Sequence, residues 1–224
     1  MNERTWNILV ESFPKLLSYG VRVTVPLTIV SFALALVISV IVAMIQYANV
    51  KVLRQVCRFY IWIIRGTPLL VQLYIVFYGL PRVGIVLDAF PTAVLVFGIN
   101  EGAYMAESVR GALESVSRGQ MEAGYCVGMS YLQIMVHVVL PQAFRTAFPA
   151  LSNSLISMLK GTSMAATITV MEMFRQAQVI NGKVYESLGL YCEVALIYLA
   201  FCTLLTWLQH LGERKLASYG GDKK

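Results

Sequence analysis

The chain has 224 residues, of which 58% are hydrophobic and 13% charged, with a mean hydropathy of +0.67. Soluble domains carry about 25% charged residues, so this balance excludes an ordinary water-soluble domain and points to lipid as the main solvent. The net charge is +6, but the excess lies in loops between apolar runs and the aromatic residues lie in and at the ends of those runs, so no nucleic-acid surface is expected.

The apolar runs reach the ~20 residues that a helix needs to cross a bilayer. Residues Trp6, Ile8, Leu9, Phe13, Leu16 and Leu17 recur at helical spacing among polar residues. This predicts a short amphipathic helix lying in the membrane interface over residues 1–20. Glu3, Glu11 and Pro14 interrupt it and no small-residue cleavage site follows, so it is not read as a cleavable signal. The first span is expected over about Val25 to Ile45. Gln46, Asn49, Lys51, Arg54 and Arg58 then form a polar, basic turn. The second span is expected from about Phe59 to Leu80, stopped by Pro81, with Arg65-Gly66-Thr67-Pro68 in its first third. Pro68 removes a backbone donor there, so the helix breaks: a cavity lining and a simple entrance kink are both open readings.

The third span is expected over about Ala89 to Val109, with Asn100, Glu101, Tyr104 and Glu107 inside it. A polar, then amphipathic, segment runs from Arg110 to Pro141. The fourth span is expected over about Phe144 to Met171, a polar loop over 172–188, and a fifth span over about Leu190 to Leu211. Among the Lys and Arg residues, the larger set lies near Lys51, Arg110, Arg145, Arg214, Lys223 and Lys224. That side is expected to be cytoplasmic, which puts the N-terminus outside and the C-terminus inside.

Ionisable groups at membrane depth are costly and normally face a bundle interior. Asn100, Tyr104 and Glu107 share one helix face, as do Asn153, Ser157 and Lys160. A carboxylate face and an ammonium face suit a path for a zwitterion. The alternative is interhelical glue, through a Glu107 pair with Lys160 or Arg65. No catalytic constellation stands out, and no GxxxxGK[ST] nucleotide loop occurs. The four cysteines, none in CxxC spacing, are read as packing residues rather than as a metal site or disulfide framework.

Within the central polar segment lie Glu122-Ala123-Gly124, then Gly128-Met129 and later Leu140-Pro141. These residues resemble the EAA signature of type I ABC importer permeases, Glu-Ala-Ala-x-x-x-Gly followed by Leu-Pro, with Gly124 in place of the second Ala. Ile64 to Leu73, Tyr78 to Pro81, Gly102 to Gly111, Gly119-Gln120, Leu140 to Ala143 and Leu159 to Ser163 resemble the polar amino-acid uptake permeases. Over residues 83–88 and 173–180 the chain is most similar to L-cystine permeases. Gly161 stands where the family usually has an acidic residue, so no substrate contact is carried over to it.

The resemblance implies an all-α polytopic membrane protein: five transmembrane helices, an N-terminal interfacial helix and a cytoplasmic coupling helix. It divides the chain into an interfacial segment over 1–20, a permease domain over 21–215 and a cytoplasmic tail over 216–224. The Glu122 loop is expected to dock on a cytoplasmic ABC ATPase dimer that binds ATP and Mg, with no cofactor in this chain. Glu122 is expected to place its carboxylate at a helix start. A second permease subunit (homodimer favoured, heterodimer possible) and an external solute-binding protein complete the expected assembly in a bacterial plasma membrane. The expected pathway residues are Arg65, Thr67, Gln72, Asn100, Tyr104, Glu107, Asn153, Ser157, Lys160 and Thr162. The expected cargo is L-cystine, with glutamine, histidine or arginine as alternatives. A scaffold or sensor that binds an ATPase without transporting is the reading from another class. An intramembrane protease is a remote third, disfavoured because neither His137 nor His210 stands near a serine elbow.

Overall fold

The computed structural model describes residues 3–48 and 50–218, and side chains as far as Leu216. Asn49, Lys223 and Lys224, and most of the expected tail, lie outside the described residues. The described residues form helices and connecting turns, with no strand among them. We label eight helices: α1 (Glu3–Tyr47), α2 (Lys51–Gly66), α3 (Leu69–Val83), α4 (Ala89–Ser115), α5 (Arg118–Cys126), α6 (Tyr131–Ile168), α7 (Met173–Val184) and α8 (Ser187–Ser218).

Helix α1 joins the expected interfacial segment and the first span into one helix of 45 residues. The join is a π-helical turn at Gly20–Thr24, just before Pro26. Proline cannot donate to the preceding turn, and a wide turn absorbs that loss without ending the helix. The N-terminal part is amphipathic as expected. It is also tied to the bundle: Ser12 and Leu16 are buried, the Ser12 hydroxyl donates to Glu193, and Thr5 donates to Glu186 at 3.2 Å. Trp6, Val10 and Phe13 stay exposed on the other face.

Helix boundaries differ from the sequence reading in four places. Lys51, Arg54 and Arg58 are not a turn but the first half of α2, whose apolar face (Val52, Val56, Phe59, Trp62) is exposed. The expected second span is two helices, α2 and α3, bent by 102° at Thr67-Pro68. The expected loop over 172–188 contains α7, and α6 starts at Tyr131 rather than near Phe144. The shared reason is that amphipathic helices look polar in a hydropathy average. By length and composition α1, α6 and α8 can cross a bilayer, and the bent α2–α3 pair makes a fourth candidate. Helix α4 is also long, at 27 residues, but Asn100, Glu101 and Glu107 dilute its apolar run.

The centre of the bundle is the α1–α4 contact. On α1, Ser31, Ala35, Ser39 and Ala43 recur every four residues, and each is 0% exposed. Beside that stripe, Leu34 and Ile38 meet α4 at Gly98 and Gly102. A Cβ on Gly98 would come 2.6 Å from Leu34 Cδ2, and one on Gly102 would come 2.9 Å from Ile38 Cγ2. Small residues let two backbones approach where lipid offers no hydrophobic drive to hold helices together. The Ser39 hydroxyl bonds its own helix, at the Leu36 carbonyl (2.8 Å), which leaves that part of the face smooth.

A second fixed point lies where α6 ends. Glu172 is 0% exposed and caps α7: its carboxylate accepts from Phe174 N at 2.8 Å and Arg175 N at 2.6 Å. The Tyr198 hydroxyl of α8 donates to it at 2.9 Å, and Met173 N donates to Thr24 of the π-turn at 3.2 Å. Burial pushes the Glu172 carboxyl up to about 7, against the three donors that favour its charged form. Its pKa is raised relative to an ordinary carboxyl, so the folded state holds the proton more tightly. Stability from this group is therefore greatest below the ordinary value and falls as pH rises to about 7.

Two measurements check these points. Gly102→Leu is expected to destabilise the detergent-solubilised protein by about 1–3 kcal/mol or more through overpacking, read as a lower melting temperature. The melting temperature of the wild type minus that of Glu172→Gln is expected to shrink between pH 5 and pH 7. A difference that stays flat across that window would show that Glu172 does not titrate there.

Candidate functional site: a coupling segment and a polar path

The central signature residues form one local structure. Ser117 caps α5 by accepting from Gly119 N at 3.3 Å. The helix stops because Gly128 takes a left-handed φ of +80°. Met129 N then bonds the Gly124 carbonyl and Gly128 N bonds the Tyr125 carbonyl, both at 3.0 Å. This pair of bonds is a Schellman cap, in which the left-handed position favours glycine. Ser130 and Gln133 form a capping box that starts α6 at once.

Gly124 is the buried residue of α5 and packs on Ile134. A Cβ there would lie 2.6 Å from Ile134 Cγ1, and Ile134 is itself 0% exposed. The Gly-for-Ala departure is thus a close contact between α5 and the start of α6. Met129 packs into the same core cluster, and so does Leu140, immediately after a π-helical stretch at Met135–Val139. Pro141 follows that stretch, which echoes the π-turn before Pro26. Glu122 and Ala123 point outward, together with Tyr125, Val127 (76% exposed) and Leu132 (71% exposed). One expectation is corrected: Glu122 is the fifth residue of α5, so it is not at the helix start, and no acidic residue occupies the first turn. Tyr125, Val127 and Leu132 were missed, although apolar residues in a polar stretch were their signal.

The expected pathway residues fall into two groups. Three of them bond directly at the α2–α3 break. Thr67 Oγ1 donates to the Ile63 carbonyl at 2.9 Å, and Gln72 Nε2 donates to Thr67 Oγ1 at 2.7 Å and to the Ile64 carbonyl at 2.8 Å. Asn100 Nδ2 donates to Gln72 Oε1 at 2.9 Å. Beside them the Arg65 guanidinium lies over the Tyr104 ring, 5.1 Å from its centroid. Glu107 pairs with Arg110 at 2.9 Å, and Arg110 also reaches Glu114 at 2.7 Å. Glu107 is therefore held on its own helix, rather than by Lys160 or Arg65.

The second group lies on α6. Asn153, Ser157 and Lys160 are exposed on it. Lys160 borders a cavity of about 560 Å³ walled by α6, α7 and α8, with Tyr191, Tyr198 and Cys202 on its lining. Thr162 is fully buried and donates to the Leu159 carbonyl at 2.7 Å, so it faces the Glu172 knot rather than an open path. Gly161 has an ordinary helical φ of −62°, and a Cβ there would meet nothing within 4 Å. The backbone does not require glycine at that position. Sequence reasoning also missed Ser154, whose hydroxyl faces Glu101 across α4 and α6.

Gly128→Ala forces a Cβ into the left-handed region and is expected to cost about 1 kcal/mol. Gly124→Ala is expected to cost as much or more, through Ile134. Gly124→Ala combined with Ile134→Ala should cost less in thermal melts than the two single changes added together; strict additivity would place the strain elsewhere.

Comparison with known proteins agrees with this geometry. Residues 35–218 match the family of binding-protein-dependent transport system inner membrane components. The chain is 45% identical over 215 residues to the L-cystine transport system permease protein TcyB of Bacillus subtilis (strain 168), covering 96% of this chain and 92% of that protein. It is 37% identical to the probable amino-acid ABC transporter permease protein YckA of the same organism, covering 95% of this chain and 93% of that one. A crystal structure of an amino acid ABC transporter with histidines superposes with a TM-score of 0.85 at 33% identity, covering 92% of this chain and 96% of that one. An all-helical membrane bundle with a capped, outward-facing α5 and a full-length match to such permeases belongs to one family: the chain is a type I ABC importer permease subunit of the polar amino-acid uptake group, with an L-cystine permease among its relatives.

Proposed function

We propose that this subunit forms half of the membrane path of an ATP-driven importer of L-cystine. The observation that carries the cystine reading is the identity with TcyB, 45% over nearly the whole of both chains. The reading has five spans: α1, the bent α2–α3 pair, α4, α6 and α8. The N-terminus lies outside and the C-terminus in the cytoplasm, in a bacterial plasma membrane. The α5 segment then faces the cytoplasm, and its exposed Tyr125, Val127 and Leu132 beside Glu122 offer a compact patch to a dimeric ABC ATPase. A second permease, identical or related, closes the path, because one subunit leaves Asn153, Ser157 and Lys160 exposed. An external solute-binding protein delivers the amino acid to the α3–α4 and α7–α8 ends.

In mechanistic terms the chain performs no covalent chemistry. ATP binds and is hydrolysed in the partner. Closing of the ATPases moves the α5 segments, and the Schellman cap and capping box carry that motion into α6 as a rigid unit. Within the path, Thr67, Gln72 and Asn100 form a continuous chain of amide and hydroxyl groups that substitutes for water around a zwitterion. Arg65 and Lys160 suit its carboxylates, and Glu107 its ammonium groups. Glutamine, histidine or arginine is the second reading of the cargo, and the open space at Gly161 supports the change of preference within the family.

The test is ATP hydrolysis by the permease–ATPase complex in lipid nanodiscs, with binding protein loaded in turn with cystine, arginine, glutamine or histidine. Stimulation by cystine alone is expected. Stimulation by another amino acid instead would move the cargo and keep the importer; an intact complex that no loaded binding protein stimulates, with uptake silent, would favour a scaffold. Glu107→Gln combined with Lys160→Met is expected to lower stimulated uptake at least about tenfold; unchanged uptake would remove both from the path.

A further inference from the structure

Two polar clasps hold the first part of α1 along the start of α8. Thr5 donates to Glu186 and Ser12 to Glu193, and both pairs are 181 residues apart in sequence. An equal offset means that the two stretches run parallel, with two helical turns, about 10 Å, between the clasps. Between them Leu9 lies against Gly189, where a Cβ would come 3.4 Å from Leu9 Cδ2. A groove of about 590 Å³ follows this seam, with Thr5 and Glu186 at its mouth. Its walls include Leu188, Cys192, Phe13 and Leu196, all exposed, the last two beyond the Ser12–Glu193 clasp. None of these residues belongs to the polar path or to the coupling segment.

Charge is ordered along the groove. Glu193 is buried, and the Ser12 hydroxyl closes it. Glu186 is half-buried at the mouth, and among the described residues it accepts one bond, from the neutral Thr5 hydroxyl at 3.2 Å, and has no ion pair. A carboxylate so placed has lone pairs left for a charged N–H donor. Arg4, the exposed neighbour of Thr5, gives one N–H to the Val184 carbonyl at 3.2 Å. Its other guanidinium donors match a phosphate. A carboxylate and a guanidinium thus stand at one end of an apolar groove. A phospholipid has the same order of polarity, with its ammonium and phosphate above an acyl chain.

We infer that this groove is a lipid site that takes a phospholipid with a primary-amine headgroup, such as phosphatidylethanolamine. The ammonium donates to Glu186, the phosphate accepts from Arg4, and an acyl chain lies over Cys192, Phe13 and Leu196. A choline headgroup has no N–H to give Glu186, and a glycerol headgroup brings the phosphate without the ammonium. The bound lipid bridges α1 and α8 beside their clasps and keeps the N-terminal part of α1 docked. Its place in the outer leaflet rests on the orientation given for the importer; its binding does not.

The test uses the permease–ATPase complex, stripped of lipid in detergent. It is titrated with phosphatidylethanolamine, phosphatidylcholine or phosphatidylglycerol of identical acyl chains, and bound lipid is counted by native mass spectrometry. Phosphatidylethanolamine is expected to saturate and to bind at least about tenfold more tightly than either of the others. Glu186→Gln keeps an acceptor for Thr5 and is expected to abolish that preference. Cys192→Trp, at an exposed position, is expected to fill the groove and weaken phosphatidylethanolamine about tenfold. Equal affinity for phosphatidylcholine or phosphatidylglycerol overturns the site. So does a preference that survives in Glu186→Gln, or an affinity unchanged in Cys192→Trp, each measured on the assembled complex. Disulfide crosslinking of two permeases through Cys192 overturns it too, because a second copy then covers the groove. Absence of bound lipid overturns it as well, and parallel uptake with loaded binding protein tells whether the importer reading stands without it.

Discussion

Close approach of α1 and α4 is the constraint on which the rest of the bundle depends. In lipid, apolar side chains gain little by leaving one hydrocarbon for another, so helices hold together by contact and by polar bonds. The buried stripe from Ser31 to Ala43, with Leu34 and Ile38 seated on Gly98 and Gly102 beside it, gives that contact its area. With α1 and α4 fixed side by side, Asn100 is positioned to meet Gln72, and the Tyr60 hydroxyl reaches the Ile99 carbonyl at 2.6 Å. The broken α2–α3 pair is therefore stitched to a rigid centre rather than to another movable arm. The Glu172 knot does the same for the opposite end. One buried carboxylate ties the cap of α7 to the flank of α8, and the neighbouring Met173 N–H holds the π-turn of α1.

Much of the coupling segment was legible because its residues are tied to backbone geometry. Glycine at a left-handed position, serine at a cap and a Ser-Gln capping box each state a local shape. The family signature that flagged Glu122 to Pro141 is largely that shape spelled out. Gly124 was readable as a departure, but its meaning was not, since Ile134 becomes its neighbour only after the chain has turned. The misplaced carboxylate of Glu122 has the same origin: Ser117 caps the helix, which starts at Arg118, four residues before Glu122.

Legibility fell where a residue's partner lies far away in sequence. Helical spacing correctly grouped Asn100, Tyr104 and Glu107, yet it could not say that Arg110, on the same helix, would claim Glu107. Thr162 looked like a pathway residue by motif and is buried instead. Hydropathy averages found α1, α6 and α8. They blurred α2 and α7, whose charged faces cancel their apolar ones. The small-residue stripe was present in the sequence all along, as a four-residue period of Ser and Ala. Its meaning depends on α4, which comes against α1 only in the folded bundle.

The α5 cap divides the segment's residues by job. Ser117, Gly124, Gly128, Ser130 and Gln133 hold its shape, and they do so through backbone bonds and one buried contact. The side chains of Ala123, Tyr125 and Val127 face outward, and only their backbones take part in the cap. A loop built in this way is modular: its outer face can be rewritten for a different soluble partner without refolding the permease. Divergence among related systems can then proceed by exchanging a few surface side chains, and chimeric pairings between them become an engineering problem of that small patch alone.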